Sequence, residues 1–141
     1  MRLWHYKLIP ALPDKMLVSQ WRECIAIKRQ WEKGTLKHRL VSYVMDHSKD
    51  NFAWYTHQIF LELNRRNINC KEKYMNEIIT FCRYRLWQDD LTYPEHNNRY
   101  LTQCYFNLQE KYDRGIVTEE EWNKIKKANL LEDVNVLDLY Y

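Results

Sequence analysis

Two Gly and three Pro are all the backbone breaks this chain of 141 residues contains. So few interruptions favour long helices joined by short connections. No apolar run approaches the length needed to span a bilayer, so no membrane partner is expected. No secretory leader or lipidation signal is visible, and the chain is expected to be soluble and intracellular. The four cysteines, at 24, 70, 82 and 104, form no C-x-x-C pair. They therefore read as reduced thiols, and a structural zinc lacks its usual ligand spacing. No strand-type alternation persists anywhere, and neither an internal repeat nor a low-complexity run is present.

What is present reads as helix. Residues 1–13 are expected to form an extended arm, because Pro10 and Pro13 disfavour an α-helix and push the residues before them towards extended geometry. Asp14 can cap a first helix that Gly34 ends. On that helix Leu17, Trp21, Cys24 and Trp31 share one stripe, with Ile25 and Ile27 at its margins. The opposite face reads Lys15, Ser19, Arg22, Glu23, Ala26, Arg29 and Gln30, a basic face holding a single carboxylate.

Leu40, Val41, Val44 and Met45 predict a short helix over Thr35 to Met45, with His38 at its start. After the polar joint Asp46 to Asp50, a helix from Asn51 to Arg66 turns Phe52, Tyr55, Ile59 and Leu63 inward. Asn69 with Glu72 has the spacing of a capping box, followed by the stripe Met75, Ile78, Ile79, Cys82 and Leu86. Thr92 with Glu95, around Pro94, has the same spacing and precedes the stripe Tyr100, Leu101, Cys104, Tyr105, Leu108 and Tyr112, which Gly115 stops. A third box, Thr118 with Glu121, opens a short helix through Trp122 and Ile125. The expected fold is all-α, a single compact domain over residues 1–141, with five or six helices and an extended amino-terminal arm.

Net charge is only +3, but its distribution is uneven. Residues 1–49 hold ten Lys/Arg against four Asp/Glu, whereas residues 109–141 hold five against eight. A basic front half is the footprint expected where a polyanion docks. Aromatic residues make up 15% of the chain, which leaves rings available for stacking on a ligand as well as for the core.

The stretch Leu8 to Glu23, Leu-Ile-Pro-Ala-Leu-Pro-Asp-Lys-Met-Leu-Val-Ser-Gln-Trp-Arg-Glu, resembles the amino-terminal segment of the phage endonuclease V-like pyrimidine-dimer DNA glycosylase/AP lyase family. The opening Met1-Arg2-Leu3-Trp4-His5, with Arg22-Glu23-Cys24 and Ala26, resembles a bacterial branch of it. The resemblance covers about the first half of the chain. It implies a cytoplasmic protein, nucleoid-associated if bacterial and in the host cytoplasm if phage-encoded. Separately, Asn107 to Lys127 resembles the two-helix SHOCT module, which implies an assembly or packing role for that end.

Attack on a sugar C1′ requires a neutral amine. A Lys with its ordinary pKa near 10.4 is almost wholly protonated at neutral pH, whereas an α-amino group, ordinarily at about 7.7–8.0, is neutral for roughly a tenth of the time. The resemblance implies an amino-terminal nucleophile. Arg2 is bulky enough to keep the initiator in place, which assigns the amine to Met1 and puts Arg2 where the family has an Arg. That register needs one extra residue before Leu8; an ungapped register puts Arg2 at the nucleophile position instead.

Glu23 resembles the family's catalytic carboxylate, which would stabilise charge at C1′ and move protons. Arg22 would anchor phosphate as a planar donor. Ala26 stands where the family commonly has an Arg, and Arg29, one turn on, would compensate. His38 resembles a His near the family's site, and Trp4 and His5 would stack on a displaced base. His96 resembles a bacterial-branch residue with no assigned mechanism.

The sequence thus predicts a glycosylase with AP lyase activity on double-stranded DNA with damaged bases or abasic sites. It is expected to act as a monomer, with self-association through the carboxy-terminal helices left open. No cofactor is expected; His5, His38, His96 and Glu23 are spaced in no recognised metal pattern, and the amine chemistry needs no metal. Two alternatives stand beside this reading. One is a glycosylase/lyase for another modified base, suggested by Ala26 and by the tail ending Leu139-Tyr140-Tyr141. The other is a catalytically inactive DNA-binding or assembly module.

Overall fold

The computed structural model describes residues 1–84 and 90–135. Among these it is all-α: α1 (Asp14–Lys33), α2 (Lys49–Arg65), α3 (Glu72–Cys82), α4 (Asn98–Asp113) and α5 (Glu119–Lys127), with 3-10 helices at Tyr6–Ala11 and Ser42–Asp46. The chain forms two compact units. One comprises Met1–Leu3 and Lys15–Tyr93, the other Trp4–Asp14 and the chain from Pro94 onward.

The first unit is built on α1, α2 and α3. Leu17, Trp21, Cys24, Ile25 and Ile27 of α1 are buried, as are Phe52, Tyr55, Ile59 and Leu63 of α2 and Met75, Ile78 and Cys82 of α3. Full burial of each large aliphatic or Phe side chain contributes about 1.5–3 kcal/mol. Trp31 presents its ring edge-on to Phe52 and Phe81, with centroids 5.9 and 5.6 Å away. Gly34 ends α1 in the left-handed region at φ +72°. The Gly34 N–H bonds the Trp31 carbonyl and the Thr35 N–H bonds that of Gln30, a Schellman motif that satisfies carbonyls the helix leaves open.

Three expected elements differ. No α-helix covers Thr35 to Met45; a turn at His38–Val41 leads into the Ser42–Asp46 3-10 helix. Only Val41 and Val44 of the four apolar residues are buried, and their spacing of three matches the eclipsed period of a 3-10 turn. The Asn69 capping box does not form. Asn67, at φ +60°, closes α2 in a Schellman pattern, with Ile68 N–H bonding the Leu63 carbonyl, so α3 begins at Glu72 after Lys71. The Thr92 box is also absent. Thr92 N–H bonds the Asp90 carboxylate at 3.2 Å, and buried Tyr93, edge-on to Tyr43, holds the chain out of helix. Leu86, expected on the α3 stripe, lies outside the described residues, as does the Leu139 to Tyr141 tail.

In the second unit the expected extended arm contains the Tyr6–Ala11 3-10 helix, with Pro10 inside it. Proline's fixed φ near −65° suits 3-10 geometry; what it opposes is an α-helical interior. Leu8, Ile9, Ala11 and Leu12 are buried there. Asn97 caps α4 by accepting the Tyr100 N–H at 2.9 Å, and Leu101, Cys104 and Leu108 are its buried stripe. Gly115 ends it with another Schellman pair. The Thr118/Glu121 capping box forms at α5, whose Trp122 lies against Tyr105 and Tyr112.

Candidate active site

Leu3, wholly buried, anchors the amino-terminal segment Met1–Leu3 of the first unit. Beside it on α1 sits Gln20, a polar side chain only 1% exposed. Its Nε2 donates to the Arg2 carbonyl at 2.9 Å and to Glu23 Oε2 at 3.1 Å, and its Oε1 accepts the Tyr55 hydroxyl at 3.0 Å. Glu23, one helical turn from Gln20, is half-buried. Burial is the largest influence on its carboxyl and raises its pKa above the usual carboxylate value. Four favourable influences oppose that rise: the charge of the amino terminus, the Arg2 N–H, His38 when protonated, and the Arg2 guanidinium. The fold therefore gathers Met1, Arg2, Glu23 and His38 into one cluster. His38 is held at its turn by Leu40 N–H donating to Nδ1 at 3.3 Å.

Rotation along α1 leads from Glu23 to an open groove of about 570 Å³. Arg22, Ala26, Arg29 and Gln30 form its α1 side, and Asn69, Lys71 and Tyr74 belong to the α2–α3 connection and the first turns of α3. Arg22 and Lys71 are exposed. Arg29, expected to meet DNA, is instead paired through Nε and Nη2 with both oxygens of Glu77, at 3.2 and 3.3 Å. The same Glu77 takes Lys28 Nζ at 3.1 Å. Lys28 is buried, its ammonium shared between Glu77 and Glu32. The hydrogen bonds from Arg29, and after them that from Lys28 and the charge of both, depress the Glu77 pKa.

A model of the pyrimidine dimer DNA glycosylase family matches residues 1–76 of the 141. The chain belongs to that family. No curated protein and no solved structure matches it. Family membership makes this chain a DNA-repair glycosylase with DNA as its substrate. The match spans α1, α2, the first turns of α3 and every residue of the Met1–Arg2–Glu23–His38 cluster. It ends before α4 and lends nothing to the SHOCT-like resemblance of Asn107 to Lys127.

Two residues expected to stack on a displaced base in this glycosylase are buried. Trp4 is 7% and His5 1% exposed, both in the core of the second unit. His5 lies 5.4 Å from the ring of His96, and Tyr6 and Tyr100 complete the stack. His5 Nδ1 accepts Lys7 N–H at 3.1 Å and His96 Nδ1 accepts Tyr6 N–H at 3.3 Å, so each ring is fixed as a neutral acceptor. Burial lowers His5 to about 4 and His96 to about 3. His96 thereby gains a structural role that sequence alone did not suggest.

Among the described residues no three His, Cys, Asp or Glu side chains gather at metal-binding distance, and no helix is long and apolar enough to cross a membrane. Sequence reasoning missed Gln20, Tyr55, Lys71 and Tyr74. Only Gln20 left a signal, its i,i+3 spacing to Glu23.

Proposed function

We propose that this glycosylase couples base removal to AP lyase chemistry at pyrimidine dimers, with the α-amine of Met1 as nucleophile. The neutral amine attacks C1′, the glycosidic bond breaks with its electrons leaving on the base, and an imine to the opened sugar forms. Loss of a C2′ proton then expels the 3′ phosphate by β-elimination. The observation that carries this reading is the half-buried Glu23 carboxylate, tied through Gln20 to the segment bearing the amino terminus and influenced by its charge. A carboxylate there offsets positive charge growing at C1′ and exchanges protons during imine formation and elimination.

Arg22 and Lys71, exposed on the two sides of the groove, suit phosphates of a DNA strand, and Tyr74, with Arg29 and Lys73 over its ring, adds positive charge along it. Arg2 adds charge beside the sugar. His38 keeps a ring nitrogen available for phosphate or proton contact.

The test is borohydride trapping on duplex DNA carrying one abasic site, with the cross-linked peptide read by mass spectrometry on protein whose amino terminus is verified as unblocked. An adduct on the α-amine of Met1, lost in Glu23→Gln without loss of DNA binding, is the expected result. Bound DNA without any adduct would sink the lyase reading, and an adduct on a lysine would sink the assignment to Met1. Irradiated duplex compared with duplexes containing other modified bases then tests the preference for dimers.

A further inference from the structure

Gln20 is a buried amide, and the chemistry of three of its contacts leaves it one orientation. Two of them, the Arg2 carbonyl and the Glu23 carboxylate, are acceptors without a proton to offer, so both require the NH2 group. The third, the Tyr55 hydroxyl, supplies a proton to the remaining oxygen. Tyr55 is wholly buried on α2, which makes the amide's rear contact part of the core. The amide thus bridges two pieces of chain, the terminal segment Met1–Leu3 and one turn of α1, beside the buried Leu3 side chain and the Arg2 N–H, which also acts on Glu23.

We infer that Gln20, oriented by Tyr55, is a positioning residue that sets the distance between the amino-terminal amine and the Glu23 carboxylate. The inference rests on the amine chemistry proposed above. A terminal segment frays unless it is tied down, and in reactions that depend on approach geometry a displacement of about 1 Å costs on the order of a hundredfold in rate. The segment's own anchor is Leu3; the Gln20 bridge from the Arg2 carbonyl to Glu23 works alongside the Arg2 N–H, which acts on the same carboxylate, and it adds the connection to the core through Tyr55. Groups that face Glu23 from the surrounding elements are the amino terminus and Arg2 on the segment and His38 at its turn, all of which favour the ionised form. Removing the Gln20 donor withdraws one more such influence, so the carboxyl should titrate at higher pH.

The experiment compares the full chain with Gln20→Met, Gln20→Glu and Tyr55→Phe. Two readouts are taken: titration of the Glu23 side-chain carbon by NMR in free protein, and the pH profile of the trapping rate on abasic duplex. Gln20→Met should move the Glu23 titration upward, speed amide exchange at Arg2 and Leu3, and slow trapping by at least about tenfold with unchanged duplex affinity. Gln20→Glu, which sets a second carboxylate against Glu23, should move the titration further in the same direction. Tyr55→Phe keeps the core ring and should give a smaller change of the same sign, which serves if Gln20→Met does not fold. An unchanged Glu23 titration and unchanged Arg2 exchange in both Gln20→Met and Tyr55→Phe would overturn the inference whatever the activity. Failure of the unsubstituted protein to trap would overturn the amine chemistry and the catalytic part of this inference with it, a result distinct from an unchanged titration.

Discussion

Half-burial of Glu23 has a thermodynamic consequence that can be checked without DNA. Its folded-state pKa is raised, so the folded chain binds a proton more readily than the unfolded chain, and ionisation destabilises the fold as pH rises past the unfolded value. Glu23→Gln should therefore be as stable as the parent at pH 7 or better. The gain is on the order of a few tenths of a kcal/mol after solvent screening, and it should disappear below about pH 4. A melting temperature lowered by several degrees at pH 7 would contradict this. His5 and His96 behave in the opposite sense. Their pKa values fall to about 4 and about 3, so the unfolded chain takes up protons first. Their contribution is complete above about pH 6.5 and is lost as pH falls through about 4 for His5 and about 3 for His96, several kcal/mol for the pair. Protonation would also turn each Nδ1 acceptor into a donor aimed at a backbone N–H. His96→Asn keeps an acceptor for Tyr6 and removes the titration, so denaturant midpoints measured from pH 7 to 4 should fall less steeply than in the parent. Equal slopes would assign the acid loss to carboxylates.

At the scale of elements, α1 is held to α3 by a three-way charge cluster as well as by apolar packing. Glu77 of α3 receives Lys28 and Arg29 from adjacent positions of α1, one buried and one exposed. Glu77→Ala leaves Lys28 with Glu32 alone and should cost about 1–3 kcal/mol in chemical denaturation; a change under a few tenths would mean the cluster is only a surface pair. Such a cluster was not legible in the sequence, because it joins residues 48 and 49 positions apart. Legibility followed locality. The inward residues of α1 and α2, the Gly34 and Gly115 stops and the Thr118/Glu121 box are set by neighbours within one or two turns, and each formed where the pattern put it. The connections were decided by distant contacts: Tyr93 against Tyr43, and Val41 and Val44 buried three apart. The site divides along the same line. Arg22 and Glu23 were readable as a basic face with one carboxylate. Gln20 was not, since Tyr55, which orients it, lies 35 positions away.

For the molecule as a whole, the question is which of its positive charges remain to meet a polyanion. The first 49 residues carry an excess of six, but Lys28 and Arg29 are committed to Glu77 and Glu32. Of the exposed cations that line the groove, Arg29 is paired with Glu77, whereas Arg22 and Lys71 face it from its two sides. Each phosphate contact releases condensed counterions, so the logarithm of the binding constant should fall with the logarithm of salt by about 0.9 for every contact on duplex DNA. Arg22→Ala and Lys71→Ala should each weaken binding about equally across sequences and each flatten that slope by about one. Lys127→Ala, exposed on α5 within the acidic end of the chain, should leave the slope unchanged. Binding measured between about 50 and 200 mM salt on an unmodified duplex separates these outcomes. If the Arg22 and Lys71 slopes match that of the parent, the groove is not the DNA strand's track, and the docking face must be drawn from other exposed cations of the front half, such as Lys15, Lys33, Lys37 and Arg39.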